Sequence, residues 1–291
     1  MYKIAILGCE NTHANTFLDY VIGTKDVERL YTDIEVVGVF SEDAAAAEKL
    51  HELYGVAVAD SYDAFVGKVD GIIITARHGD NHYKFAKPYF ESGIPMFIDK
   101  PITVSEEDAL ALREALIKNN IKMSGGSVCK YPAPIREMAE IVKEERCGKV
   151  YGGMLRAPLL WNNPNGGFFF YSQHLVQSMC TVFGCYPESV MAFVNGDIIT
   201  CVVRYADYDV TLVFANENFE YAAGINCEKL SRYESYSLDG CFETEFAAFY
   251  NVLTGGEPEE SYDDFIASVF ILNAIDRSIK SGKEERVNKF N

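Results

Sequence analysis

From Gly71 to Thr75 the chain reads Gly-Ile-Ile-Ile-Thr, a strand apolar at every central position. A strand with one wet face alternates polar and apolar residues. One that does not alternate is covered by helices on both faces, the condition of a parallel sheet. Pro95-Met96-Phe97-Ile98-Asp99 repeats the pattern. Around these two strands the chain alternates with regularity. Residues 3–7 predict a first strand and 14–23 the helix after it. Residues 35–40 predict a second strand, 44–54 an alanine-rich helix, and 56–59 a short third strand. Residues 83–92 predict a helix stopped by Gly93, and Ser105 caps another through about residue 119, before a last strand at 122–124. This rhythm predicts a doubly wound parallel sheet of the Rossmann type over residues 1–124.

Beyond Gly148 the texture changes. Residues 150–155, 190–194, 198–205 and 209–215 carry the period-two pattern of strands in a mostly antiparallel sheet. Helices are predicted at 173–183, 243–253 and 262–281. The expected fold class is therefore α/β: a Rossmann domain at 1–124, then an α+β domain at 125–291 with an open, mostly antiparallel sheet. The last helix is free to pack back on the first domain. A length of 291 residues suits two domains.

A net charge of -17 would repel a phosphate backbone, which argues against nucleic acid and anionic membrane as partners. No run reaches the ~20 apolar residues of a membrane helix. Met1 leads straight into a strand, without the features of an export signal, so a cytoplasmic protein is expected. The eight cysteines are scattered, without paired C-x-x-C spacing, and are expected to be reduced, packed thiols.

Four stations in order resemble the Gfo/Idh/MocA oxidoreductases, the glucose-fructose oxidoreductase and inositol dehydrogenase group. The first is the opening strand and its turn. The second is Asn81-His82 before a helix, followed by Gly93-Ile94-Pro95-Met96-Phe97-Ile98-Asp99-Lys100-Pro101, where the family has Glu-Lys-Pro. The third, Gly166-Gly167-Phe168-Phe169-Phe170-Tyr171-Ser172-Gln173-His174, resembles a glycine pair followed by D-x-G-x-H-x-x-D. The fourth is Glu245–Phe249, Gly255-Gly256-Glu257-Pro258 and a terminal helix ending at Ser281-Gly282-Lys283. The resemblance implies hydride transfer between NAD or NADP and a sugar, cyclitol or related polyhydroxylated molecule. It implies Lys100 and His174 as catalytic residues, a substrate-binding and oligomerisation role for the domain at 125–291, and a homodimer or homotetramer built on the open sheet.

The departures are as informative. Aligned on His174, the two family aspartates fall on Phe170 and Gln177. In the first turn, Gly8-Cys9-Glu10-Asn11-Thr12-His13 keeps only the first glycine of G-x-G-x-x-G, and Glu10 occupies the point of closest approach to a diphosphate. Ser41 stands where an acidic residue usually takes the adenosine ribose, followed by Glu42 and Asp43, which leaves NAD and NADP both open. The candidate cofactor-binding residues are Gly8, Glu10, Asn11, His13, Ser41, Thr75, Arg77, His82, Asp99 and Lys100. The candidate substrate residues are Lys100, Trp161, Tyr171, His174 and Gln177. Arg77 and His78 could compensate Glu10 and bind phosphate. His82 suits packing or capping, and His51 a solvated helix face. Phe168-Phe169-Phe170 suits a ring-stacking surface or a core equally. Two alternatives stand beside the dehydrogenase: a binding or regulatory protein that has lost the redox site, and a metal-assisted enzyme using Glu10, His13 and His78, with His82 as a further donor.

Overall fold

The structure, a computed structural model, describes residues 1–290. The elements are β1 (Tyr2–Leu7), α1 (Thr12–Val21), β2 (Ile34–Phe40), α2 (Ala44–Tyr54), β3 (Gly71–Ile74), α3 (Asp80–Ala86), β4 (Met96–Asp99), α4 (Glu106–Lys118) and β5 (Met123–Gly126). They continue with α5 (Ala133–Lys143), β6 (Val150–Leu159), α6 (Phe168–Phe183), β7 (Ser189–Asn195), β8 (Ile198–Arg204), β9 (Asp209–Asn216), β10 (Tyr221–Cys227) and β11 (Leu230–Tyr236). The last are α7 (Cys241–Leu253), α8 (Tyr262–Ser281) and β12 (Glu285–Arg286). No helix of the described residues is long and apolar enough to cross a membrane.

The chain forms two compact units. The first comprises Met1–Thr103, Glu107–Gly126 and Phe242–Tyr262. Its sheet runs β2-β1-β3-β4-β5, every pairing parallel. The expected short strand at 56–59 is only a single bridge between Val39 and Val58, because Val39 alone exchanges hydrogen bonds with Ala57 and Ala59. The helix expected at 83–92 starts at Asp80 and tightens to 3₁₀ from Lys87, where Pro88 has no N–H for the α ladder. A single cut after residue 124 also misplaces α7: Phe246 and Phe249 pack on Phe17 and Phe97, so this helix completes the core of the first unit.

The second unit comprises Val104–Glu106, Ser127–Cys241 and the chain from Asp263. Its sheet runs β11-β10-β6-β9-β8-β7-β12, antiparallel except for β6 with β9. Register separates its faces. Ala223, Leu155, Leu212, Cys201 and Ala192 lie side by side across five strands and are all buried. The neighbouring row, Tyr233, Gly224, Met154, Thr211, Val202 and Met191, forms the opposite face, where all but Gly224 are half-buried or exposed. Gly224 is fixed by the Tyr233 ring, which lies where a Cβ would be, 2.1 Å from its ideal position.

Candidate active site

In the first unit the β1–α1 turn is built against the end of β3. Gly8 has φ +77°, and a Cβ there would lie 2.4 Å from the backbone of Ala76, so glycine is required. Thr75 Oγ1 donates to the Gly8 carbonyl at 3.1 Å. His82 is fully buried, with Nε2 2.7 Å from the Ala76 carbonyl, and burial holds its imidazole below the ordinary value. A neutral ring donating from Nε2 satisfies that contact. Thr75 and His82 thus brace the turn from behind. His51, on an exposed position of α2, has Nδ1 2.9 Å from the Val56 carbonyl.

Glu10 ties three strand ends together. One carboxylate oxygen accepts the Ser41 hydroxyl after β2 at 2.6 Å, and the other accepts the Arg77 backbone N–H after β3 at 3.0 Å. Ser41 Oγ in turn accepts the Asp43 N–H at 3.0 Å. The Arg77 Nε is buried and has no hydrogen-bond partner among the described residues. His78 lies 3.6 Å from the exposed Asp80. Glu10, His13 and His78 each meet a different partner, and among the described residues no three His, Cys, Asp or Glu side chains gather as a metal site. The metal-assisted alternative therefore lacks a donor set.

Asp99, at the end of β4, is wholly buried and receives three donors. His13 Nδ1 lies 2.7 Å and Asn11 Nδ2 3.1 Å from one oxygen, and the Lys100 N–H is donated to the other at 2.7 Å. Burial by itself would raise the Asp99 carboxyl, but the His13 imidazole, then Lys100, hold it below the usual carboxylate range. Asn11 also caps α1, accepting the His13 N–H at 3.3 Å. Lys100 is 3% exposed, and its bond to Pro101 is cis.

In the second unit His174 lies on α6, 3% exposed. Its Nδ1 is 2.7 Å from Ser127 Oγ and 3.5 Å from Cys129 Sγ. Ser127 Oγ also accepts the Cys129 N–H at 3.1 Å. The Tyr171 ring meets His174 edge-on at 4.5 Å, and Tyr171 OH lies 3.5 Å from Tyr221 OH. Gln177 is buried one turn on. Phe168 and Phe170 are also buried, Phe168 against Phe214, so two rings of the aromatic run belong to a core. Trp161 is 37% exposed, with its ring 6.3 Å from Phe168. Ser127 and Cys129 were not among the expected site residues. Their only sequence signal is position, in the segment that follows a parallel strand.

A parallel β2-β1-β3-β4-β5 sheet with a glycine turn at the carboxyl end of β1 defines a nucleotide-binding unit. Residues 2–126 match the model of the Gfo/Idh/MocA oxidoreductase family, described as an NAD-binding Rossmann fold. No curated protein matches the sequence. Among solved structures, a myo-inositol 2-dehydrogenase from Lactobacillus plantarum is similar at 16% identity and TM-score 0.82, with 99% of each chain covered. A myo-inositol dehydrogenase from Corynebacterium glutamicum gives 16% and 0.81 with both chains covered in full. The WlbA dehydrogenase from Chromobacterium violaceum, in complex with NADH and UDP-GlcNAcA, gives 17% and 0.80, covering 100% of this chain and 97% of that one. At these identities the likeness is one of fold. The residues here fit a dinucleotide: Gly8 keeps the turn tight, and the buried Arg77 Nε is a donor that an anionic group would satisfy.

Proposed function

We propose that the chain is an NAD(P)-dependent dehydrogenase acting on a CH–OH group of a sugar, cyclitol or related polyhydroxylated molecule, with Lys100 as its proton-transfer group. The observation that carries this reading is the anchoring of Lys100. It is buried directly after β4, and its backbone is fixed by an ionised Asp99 that His13 and Asn11 hold in turn. Gly8, His13 and Arg77 would hold the dinucleotide, with Thr75 and His82 supporting them. A bound nicotinamide supplies the carbon that accepts or returns hydride. Lys100 Nζ takes the hydroxyl proton of the substrate as hydride leaves. By the resemblance, His174 serves as an orienting group for the substrate. Phe170 and Gln177 stand where the resemblance places carboxylates, so proton transfer falls to Lys100.

The test is reduction of the nicotinamide with a panel of inositols and sugars, for the wild type and Lys100→Ala. Turnover is expected on at least one polyol, falling at least ~100-fold in Lys100→Ala while NADH affinity stays within about threefold. Tight nucleotide binding with no turnover on any polyol would reject the dehydrogenase and favour the binding protein.

A further inference from the structure

The end of β2 is where Rossmann proteins usually place the acidic residue that accepts the ribose 2′-hydroxyl of NAD. This chain has Ser41 there, and serine by itself is compatible with either nucleotide. The structure removes that neutrality. The single Ser41 proton is committed to Glu10 at 2.6 Å, and its oxygen accepts the Asp43 N–H, so Ser41 has no proton left to donate to a phosphate. Glu10 delivers a carboxylate from the β1 turn to the tip of β2. It is held there on both sides, by Ser41 and by the Arg77 N–H. A carboxylate has about four acceptor positions, and these two contacts leave two for hydroxyl groups. The nearby charges are also unfavourable to a phosphate. Glu42 follows Ser41, Asp43 caps α2 with its carboxylate, and Lys84 of α3 is paired with Glu42.

Resting on the dinucleotide reading above, we infer that Glu10 is the ribose-recognising residue of this chain and makes it selective for NAD(H) over NADP(H). Its carboxylate, displaced by sequence from β2 to the β1 turn, stands in space beside Ser41. The same group that breaks the glycine pattern thereby supplies the acceptor that the β2 end lacks. The unpartnered Arg77 Nε takes part in binding the diphosphate.

The experiment is equilibrium titration of the intact protein with NADH and with NADPH, for the wild type, Glu10→Gln and Ser41→Ala. Glu10→Gln is isosteric and removes only the charge; thermal unfolding verifies that both variants are folded. The wild type is expected to bind NADH at least ~100-fold more tightly than NADPH, and Glu10→Gln to reduce that ratio at least ~10-fold, mainly by improving NADPH. Ser41→Ala, which frees the carboxylate on one side, should weaken NADH severalfold. Equal binding, a preference for NADPH through Arg77, or an unchanged ratio in Glu10→Gln would overturn the assignment and leave the dinucleotide reading standing. Binding of neither nucleotide would overturn both.

Discussion

Replacing His13 by glycine and Asp99 by glutamate restores, at both positions, the residues the family pattern places there. Each change alone should be harmful. His13→Gly removes the imidazole 2.7 Å from a wholly buried carboxylate. Stripping a buried charge of its partner costs about 3–5 kcal/mol. Asp99→Glu adds one methylene at a site with no exposure, where overpacking costs about 1–3 kcal/mol. Independent effects would sum to about 4–8 kcal/mol, a large share of the stability of an ordinary domain. In the double variant the longer carboxylate enters the space vacated by the ring, which relieves the crowding and brings the oxygens toward the α1 N-terminus. The double change should therefore cost at least about 2 kcal/mol less than the sum. Urea unfolding of the four proteins by circular dichroism measures the cycle, and amide exchange in α1 and β4 assigns it to the first unit. Additivity within about 0.5 kcal/mol would refute the view that His13 and Asp99 replace glycine and glutamate as a pair.

His82 is neutral in the folded chain, whereas the unfolded chain binds a proton as pH falls through 6.5. Its contribution is therefore complete above that pH and declines below it, by about 1.4 kcal/mol per pH unit until the lowered folded-state value is reached. His82→Gln keeps a donor for Ala76 without titrating; an identical pH dependence of urea stability in variant and wild type would contradict the assignment. Ser127→Ala removes the hydroxyl 2.7 Å from His174 Nδ1 that holds the imidazole and should lower polyol turnover about 10-fold or more without changing NADH affinity. Unchanged turnover would remove Ser127 from the site. The apolar row Met154, Val202 and Met191 on the open face of the second sheet should carry self-association, so Met154→Glu with Val202→Glu should halve the mass seen by light scattering. A monomeric wild type would refute that placement.

Most of the architecture is legible where local pattern and tertiary environment agree. The all-apolar β3, the apolar run of β4 before Asp99, the capped α2 and the long α8 all follow from periodicity and turn chemistry. The elements that escape have a conflict between the two levels. In β10, Tyr-Ala-Ala-Gly-Ile-Asn-Cys has little intrinsic strand preference, and it joins β11 through Glu228-Lys229, without the Asn-Gly or Asp-Gly that marks a tight hairpin. Packing between β6 and β11 makes it a strand. In α5, Pro132 and Pro134 read as breakers, yet they occupy the N-cap and first turn, where a missing N–H removes no helical bond. The interleaving of the two units is invisible locally, because the rings of α7 select their core by shape and not by position in the chain.

The site follows the same logic with larger separations. Read along the chain, Glu10 and His13 are two defects in a phosphate-binding turn. In space each has a fixed partner: Glu10 meets Ser41 and Arg77, 31 and 67 residues away, and His13 meets Asp99, 86 residues away. A carboxylate at the point of closest approach is tolerated because it is drawn to the β2 and β3 ends by two donors. An imidazole in place of the third glycine is tolerated because the shorter Asp99 leaves it room and holds its Nδ1. The substitutions at 10, 13 and 99 are therefore parts of one rearranged turn. Reverting any one of them singly should be worse than leaving all three.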